Sequence, residues 1–213
     1  MEKRSVRDGI VEAALALVSR TGPALLSMRD VAQRAGVSVG TVSYHFSDKN
    51  LLLEAVLDEY YRELDSFWSH VAANVAGQAI TREQARQIIG ELFALLRRQR
   101  NLTRLRIMLS VQTGTITEAR LNEHLIRYAE ALQRSFPHYT LAELRLRMYS
   151  VFLLTARYAA MHMDEWKSIT QQSTAEGASD AVKALLLEMA VDLMQIPAEP
   201  AAESDSATTR VRL

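Results

Sequence analysis

The stretch Met28–Phe46, MRDVAQRAGVSVGTVSYHF, decides the fold of this 213-residue chain. It predicts two short helices joined by a tight turn at Gly36, because glycine adopts a positive φ angle without strain. Apolar residues would lock the two helices together: Val31, Ala32, Val37, Val42 and Phe46. The second helix would then point outward as a probe, of a size that the major groove of DNA accepts.

The outer side of this second helix begins with small side chains, which permit a close approach to base edges. Two cations, Arg29 and Lys49, lie in the first turns of predicted helices, where a positive charge opposes the helix dipole by roughly 0.3–1 kcal/mol. An external phosphate would offset that cost. The candidate DNA-contacting residues are Ser27, Arg29, Ser38, Val39, Gly40, Thr41, Ser43, Tyr44, His45 and Lys49.

Helical periodicity continues on both sides of this motif, and no segment shows the sustained alternation that is typical of a strand. We predict an all-α chain of about nine helices, the last two over Leu141–Trp166 and Ala178–Gln195. A three-helix helix-turn-helix domain would occupy residues 1–50, and a helical-bundle domain for ligand binding and dimerisation residues 51–196. The small, polar, proline-containing residues 197–213 are predicted to form a disordered tail.

Composition disfavours several classes of function. The chain has no cysteine, which excludes a disulfide framework and cysteine-based metal sites. The five histidines show no metal-binding spacing, and no Walker loop, dinucleotide fingerprint or HExxH motif is present. No secretory signal or membrane-spanning run is visible, so we expect a cytoplasmic protein that is not an enzyme and holds no cofactor or metal. Because the net charge is zero, the case for DNA binding rests on the motif alone.

The residues from Val31 to Leu52 resemble the signature of the tetracycline-repressor (TetR) family of transcription regulators. The pattern that carries the resemblance is Val31-Ala32-x-x-Ala35-Gly36-Val37-Ser38-x-Gly40-Thr41-x-x-Tyr44-His45-Phe46-x-x-Lys49-x-x-Leu52. By position, the family's base- and phosphate-contacting residues correspond to Arg29, Val39, Gly40, Thr41, Ser43, Tyr44, His45 and Lys49. The resemblance implies a homodimer of nine-helix protomers whose C-terminal domain binds a small effector. The family often has tyrosine where Ser43 stands, so the operator sequence does not follow from the resemblance.

The predicted eighth and ninth helices carry more apolar residues than one buried face needs. The eighth has two apolar faces, which are Leu144, Met148, Val151, Thr155 and Tyr158, and Tyr149, Phe152, Ala156, Ala160 and Met163. Two such helices from each subunit would form a four-helix dimer interface, unless both faces pack within one protomer. In a dimer, two recognition helices about 34 Å apart would read one face of a palindromic site.

An apolar cavity between helices is the expected effector site, although most apolar residues of a bundle belong to its core. The candidate ligand-binding residues are Phe93, Met108, Gln112, Tyr128, Tyr149, Phe152, Arg157, His162 and Trp166. A buried Arg157 would need an anionic partner, either a ligand carboxylate or, as we prefer, a glutamate such as Glu188 across the interface. We interpret the basic run Arg97–Arg106 as a solvated helix corner rather than a contact with DNA or an acidic ligand.

The sequence therefore favours a DNA-binding repressor that an unidentified small effector releases from a palindromic operator. Two other functions stay open. The first is a helical-bundle enzyme or small-molecule carrier, with a catalytic pair assembled only in three dimensions around His124 or His162. The second is a DNA-binding regulator that acts through partner proteins without a small effector.

Overall fold

The computed structural model describes residues 5–75, 77–113 and 118–197, so the predicted tail 197–213 lies outside the described residues except for Pro197. Every regular element in these ranges is helical, which confirms the all-α prediction. The helices are α1 (Val6–Thr21), α2 (Met28–Ala35), α3 (Val39–His45), α4 (Lys49–Val75), α5 (Arg82–Arg98), α6 (Arg100–Thr113), α7 (Glu118–Leu132), α8 (Leu141–Ala160), α9 (Met163–Thr170) and α10 (Ala175–Leu193), with a 3₁₀ turn at Gln133–Ser135. None of these helices is both long and apolar enough to cross a bilayer.

Side-chain caps and positive-φ glycines fix many of the helix ends. The hydroxyl of Ser5 accepts from the backbone N–H of Asp8 at the start of α1. Gly22 ends α1 with a φ of +85°, and its N–H donates to the Val18 carbonyl at 2.8 Å. Capping boxes start α5 and α8, where a threonine and the residue three positions later cap each other's backbone N–H groups.

Helix α4 joins the N-terminal helices to the rest of the chain. It packs against α1 at one end and against α6 and α7 further along, while α5, α8 and α10 pack on one another. The buried apolar side chains form one continuous cluster that extends from Ile10 to Ile196. The predicted domain boundary at residues 50 and 51 falls within the first turn of α4, so a rigid helix and not a flexible linker crosses it.

The predicted eighth helix is wrong in its length, because α8 ends at Ala160 and a separate helix, α9, follows. Met161 has an extended backbone with a ψ of 157°, and His162 then caps α9. The Glu165 carboxylate accepts from the His162 N–H at 2.7 Å, and the His162 ring accepts from the Asp164 N–H at 3.4 Å. The described residues therefore form ten α-helices instead of about nine.

Two arginines bind the C-terminal carbonyl groups of α8. Arg97 Nη1 donates to the carbonyls of Ala159 at 3.0 Å and Met161 at 2.6 Å, and Arg104 Nε donates to that of Ala160 at 2.7 Å. Cations are favourable at this end of a helix, where the dipole is negative and the carbonyls lack intrahelical partners. Burial, followed by repulsion from Arg100, lowers the pKa of both arginines. The solvated-corner interpretation is therefore wrong for Arg97 and Arg104, which bind the end of α8, and for Arg106, which is buried, whereas the Arg98 side chain of the same run is exposed.

Both apolar faces predicted for the eighth helix point into the protomer. Leu144, Met148, Val151 and Phe152 are buried, and Tyr149 and Tyr158 are half-buried. A third face of α8 is the exposed one, and it carries Leu146, Leu153 and Arg157, with the half-buried Ser150 between them. The two predicted faces therefore pack within one protomer, although α8 does present the apolar side chains of Leu146 and Leu153 outward.

Candidate nucleic-acid interface

A left-handed glycine fixes the angle between α2 and α3. Gly36 has a φ of +69°, its N–H donates to the Gln33 carbonyl, and the N–H of Val37 donates to the Ala32 carbonyl at 3.0 Å. This pair of hydrogen bonds is the Schellman motif, which satisfies carbonyls at a helix C-terminus. A Cβ at Gly36 would meet no atom within 4 Å, so the position needs glycine for its backbone conformation and not for space. The predicted glycine turn is confirmed.

The inner side of α3 is anchored in the N-terminal core. Val42 is buried, and so is Phe46 directly after the helix. The guanidinium carbon of Arg7, in the first turn of α1, lies 5.0 Å from the centre of the Phe46 ring, a cation–π contact. Arg7 could not be predicted as a partner of this ring, because nothing in the local sequence pattern connects it with a residue that follows another helix.

The outer side of α3 exposes the residues that the sequence analysis expected there. Tyr44 is 86% exposed, and Val39, Gly40 and Ser43 are exposed as well. Thr41 and His45 are half-buried, and the ring centres of Tyr44 and His45 lie 5.3 Å apart, edge to face. The structure therefore gathers the small residues and the one large aromatic side chain of α3 on a single accessible surface.

Two serines of the candidate set are helix caps. The Ser27 hydroxyl accepts from the Asp30 N–H at 3.1 Å and donates to the Asp30 carboxylate at 2.6 Å. The Ser38 hydroxyl accepts from the Thr41 N–H at 3.0 Å and lies 2.9 Å from the Thr41 hydroxyl. Both side chains are exposed, but these bonds engage their hydroxyl groups, which makes positioning α2 and α3 their first role.

The two candidate cations flank α3 and have no carboxylate within 4.0 Å among the residues that the structure describes. Arg29 is exposed in the first turn of α2, and Lys49 is the half-buried first residue of α4. Asp48 caps α4, where one carboxylate oxygen accepts from the N–H groups of Asn50 at 2.8 Å and Leu51 at 3.0 Å. The negative charge nearest to Lys49 in sequence is therefore committed to the helix terminus, and the ammonium group stays available.

Residues 10–56 match the family model described as bacterial regulatory proteins, tetR family. The chain is 32% identical over 102 residues to the HTH-type transcriptional regulator YttP of Bacillus subtilis (strain 168). It is 41% identical over 68 residues to the HTH-type transcriptional regulator BetI of Yersinia pestis (strain Pestoides F). The N-terminal part of the chain is therefore similar to the DNA-binding region of TetR-family regulators, and the chain spans about half the length or less of these two relatives.

The extent of these matches shows which part of the chain carries the similarity. The alignment with YttP spans 48% of this chain and 49% of that protein, and the alignment with BetI spans 32% and 34%. A crystal structure of a TetR-family regulator from Mesorhizobium loti superposes over 90% of this chain and 98% of its own, with a TM-score of 0.61 and 19% identity. At that identity the likeness shows the fold, including the helical C-terminal domain.

The aromatic candidates for effector binding contact one another inside the bundle. Phe93 and Trp166 stack with ring centres 5.4 Å apart, and the Trp166 indole donates to the Tyr158 carbonyl at 3.0 Å. Tyr128 stacks on Trp68 and donates its hydroxyl to the carboxylate of Asp65. These rings fill two separate regions of the core instead of surrounding one cavity.

The polar candidates lie nearer to the surface. Gln112, Arg157 and His162 are exposed, and His162 serves as the cap of α9. Arg157 is therefore not buried in the protomer. The expectation that it needs an anionic partner assumed that it is buried. Met108 and Tyr149 are half-buried, and Phe152 is buried beneath the guanidinium group of Arg106.

An apolar cavity of about 60 Å³ lies elsewhere in the bundle, between α4, α5, α8 and α10. Trp68, Ile89, Met148 and Ala190 are among its lining residues, and none of the nine candidates is. Its volume is far below the roughly 300 Å³ at which small-molecule sites begin. An effector of ordinary size would not enter this cavity without movement of the helices.

A polar cluster that the sequence analysis did not predict joins α4 to α7. Asp65 pairs with Arg127 at 2.5 Å and with His124 Nδ1 at 2.7 Å, in addition to its bond with the Tyr128 hydroxyl. The His124 ring stacks between Tyr61 and Tyr128. His124 thus has a structural environment, which weakens its candidacy as a catalytic residue. Arg127 and Tyr128 follow His124 by three and four residues, which places all three on one face of a helix. This spacing is the feature of the sequence that indicates the cluster.

Proposed function

We propose that this chain is a DNA-binding transcriptional regulator that inserts α3 into the major groove of its operator. The observation that carries the proposal is the outward surface of α3, where Tyr44 is 86% exposed beside the small residues Val39, Gly40 and Ser43. The helix is held from behind by Val42 and Phe46, so its outer surface is presented rigidly. Surface aromatic and hydroxyl groups on a short probe helix suit contacts with phosphates and base edges.

Each candidate residue has a role that follows from its position. Thr41 and Ser43 would hydrogen-bond to bases, and Val39 and the Thr41 methyl group would contact thymine methyl groups. Tyr44, Arg29 and Lys49 would bind phosphates, with His45 contacting either a base or a phosphate. Ser27 and Ser38 would act mainly through the helix starts that they cap, and Gly40 would allow close approach.

We propose that the protein acts as a homodimer through α8 and α10, the helix predicted as the ninth. The exposed face of α8 carries Leu146, which is 67% exposed, and Leu153, while α10 exposes Ala184 and Leu185. Arg157 on α8 and Glu188 on α10 are exposed on the same two helices, which suits pairing between subunits. A symmetric dimer would place two copies of α3 at the spacing of successive grooves on a palindromic operator.

We propose that the regulator is a repressor released by a small effector that acts on the position of α4. Lys49 begins α4, and the same helix packs against α6 and α7 within the bundle. A ligand that favours another position of α4 would change the separation of the two α3 helices, through a coupling of about 1–3 kcal/mol. The small volume of the apolar cavity favours an alternative, a regulator without a small effector that responds to partner proteins.

The regulatory proposal is tested by a gel-shift assay with DNA from upstream of the protein's own gene. At low salt, where electrostatic affinity is greatest, we expect a complex at nanomolar to micromolar protein. Failure to retard any such DNA under these conditions would overturn the proposal. The names of the relatives are those of transcriptional regulators, which argues against an enzyme. Substrate turnover abolished by changing His124 or His162 would instead favour the enzyme.

A further inference from the structure

A buried arginine of the bundle has two nitrogen atoms that donate to no group in the described part of the chain. Arg106, in α6, is 3% exposed, and its Nε and Nη2 are buried without a hydrogen-bond partner. A guanidinium group that has lost its hydration without gaining an acceptor is strongly unfavourable. An anion from outside the protein would compensate this charge.

The two unpaired atoms define the geometry of the missing acceptor. Nε and Nη2 lie on one edge of the planar guanidinium group, and their N–H bonds on that edge run parallel. A carboxylate offers two oxygen atoms at the matching spacing and forms a bidentate pair with such an edge. A carboxylate also carries one negative charge, which balances one buried arginine, whereas a doubly charged phosphate would leave an excess negative charge in the core.

The surroundings of Arg106 suit an acid with an apolar body. The guanidinium carbon lies 5.0 Å from the centre of the Phe152 ring, and the neighbouring Leu105 and Leu109 are buried. The hydroxyl of Tyr60, in α4, is also buried, beside the Thr103 side chain of α6. Burial raises the pKa of Tyr60 above its ordinary value, although Arg106 opposes the shift, so the phenol is a neutral donor at physiological pH.

The geometry points to a binding site for the carboxylate group of a small organic acid with an apolar body, held by Arg106 and assisted by Tyr60. Anion binding itself follows from these contacts alone. Its regulatory meaning, that such an acid is the effector, rests on the proposed function. A ligand reaches Arg106 only when α4, α6 and α8 separate, so binding selects a state in which these helices are displaced.

Both helices that supply the site also contact the N-terminal domain. Tyr60 lies eleven residues after Lys49 on α4, or about 16 Å along the helix. Asn101, one and a half turns before Arg106 on α6, donates its side-chain amide to the Ser19 carbonyl of α1 at 2.9 Å. Displacement of α4 or α6 by a bound carboxylate would therefore move the helices on which α3 rests.

The test is thermal unfolding of the full chain with sodium butyrate, hexanoate or benzoate at constant ionic strength, each compared with its uncharged primary amide. We expect at least one carboxylate to raise the Tm by about 5–10 °C at a concentration a hundred times its Kd, while its amide gives no comparable shift. Inorganic phosphate serves as a further anion and should have little effect. The inference is overturned if no carboxylate stabilises the protein more than its amide.

The substitution Arg106→Met separates a binding role from a structural one. Because it removes an unpaired buried charge and keeps the apolar stem, we expect the ligand-free variant to unfold at the wild-type Tm or above it, and to lose the carboxylate response. Arg86→Met, at an exposed arginine paired with Glu83 on α5, should keep the response. A large drop in Tm of ligand-free Arg106→Met, or an unchanged carboxylate response, would contradict the inference.

A gel-shift assay with the stabilising carboxylate distinguishes this inference from the proposed function. If the wild-type protein binds no DNA, the proposed function fails while the thermal shifts still report on the site. If the carboxylate lowers DNA affinity by at least tenfold in the wild type and not in Arg106→Met, the site is an effector site.

Discussion

The side-chain amide of Asn101 donates to the backbone carbonyl of Ser19, with 2.9 Å between Nδ2 and O. This bond fastens the start of α6 to the last turn of α1, where carbonyl groups have no partner within the helix. We predict that Asn101→Ala lowers the free energy of unfolding by about 1 kcal/mol, measured by urea denaturation. Asn74→Ala, at an exposed amide that contacts only His70 one turn away, should change it by less than about 0.5 kcal/mol. Equal losses in the two variants would contradict a special role for Asn101.

The conformation of Gly36 predicts a substitution cost that depends on the backbone alone. Since no atom lies within 4 Å of a Cβ there, Gly36→Ala should destabilise the protein by about 1–2 kcal/mol through its φ of +69°. Gly36→Asn should cost less, because asparagine tolerates this region better. The matched control is Gly90→Ala within α5, which has equal space and helical geometry and should stabilise by about 0.5–1 kcal/mol. Circular dichroism melts of the three variants measure these differences.

Removal of the ammonium group at the start of α4 should weaken binding to every DNA sequence. We expect Lys49→Ala to reduce the slope of log affinity against log salt by about one, as loss of a single phosphate contact does. Fluorescence anisotropy across a salt series with an operator and an unrelated duplex gives the slope. Lys167→Ala in α9 is the control that should leave it unchanged. An identical slope in Lys49→Ala would show that this lysine does not bind phosphate.

A change at the exposed hydroxyl of α3 should instead alter sequence preference. We expect Ser43→Ala to cost about 1 kcal/mol at the operator base that it reads and little on unrelated DNA. Selection of bound sequences from a random library, before and after the substitution, identifies that position. Ser69→Ala, an exposed serine in the middle of α4, should select the wild-type sequences. A uniform loss of affinity with unchanged preference would contradict a base-reading role for Ser43.

The proposed dimer interface makes a prediction about oligomeric state. Leu185→Glu places a charge in the apolar face of α10, and we expect it to yield monomers at micromolar concentration by light scattering. Leu25→Glu, at a more exposed leucine outside both interface helices, should leave the dimer intact. If Arg157 pairs with Glu188 between subunits, the reversed pair Arg157→Glu and Glu188→Arg should restore the association that either single change weakens. A wild-type monomer would overturn this interface.

The sequence predicted the N-terminal domain well because its determinants are local. Gly36 has to adopt a left-handed backbone conformation for the two helices to meet. The Ser38 hydroxyl caps α3 by accepting from the N–H of the residue three positions later. Both effects operate within a few residues. The C-terminal end of α8 is different. It is bound by Arg97 and Arg104, which lie 62 and 56 residues before the carbonyls of Ala159 and Ala160, and no glycine or proline marks the break.

Two arginines show why the burial of a side chain was harder to predict from the sequence than the local turns and caps. Arg157 is flanked by apolar runs, yet it lies on the exposed stripe of α8 with Leu146 and Leu153. Arg106 was assigned to a solvated run, yet it shares the buried face of α6 with Leu102, Leu105 and Leu109. Neighbours three and four positions away determine the face of a helical residue, whereas adjacent neighbours do not.

The continuity of α4 across the domain boundary restricts how this protein can be recombined with its relatives. A chimaera that exchanges the N-terminal domain has to be joined inside a helix, because α4 continues without a loop from Lys49 to Val75. Every residue added or deleted there would rotate the grafted N-terminal domain by about 100° about the axis of α4 and shift it by about 1.5 Å along that axis. Grafts that preserve the helical phase should keep the orientation of α3 relative to the bundle, while those out of phase should fold and yet present α3 in a different direction.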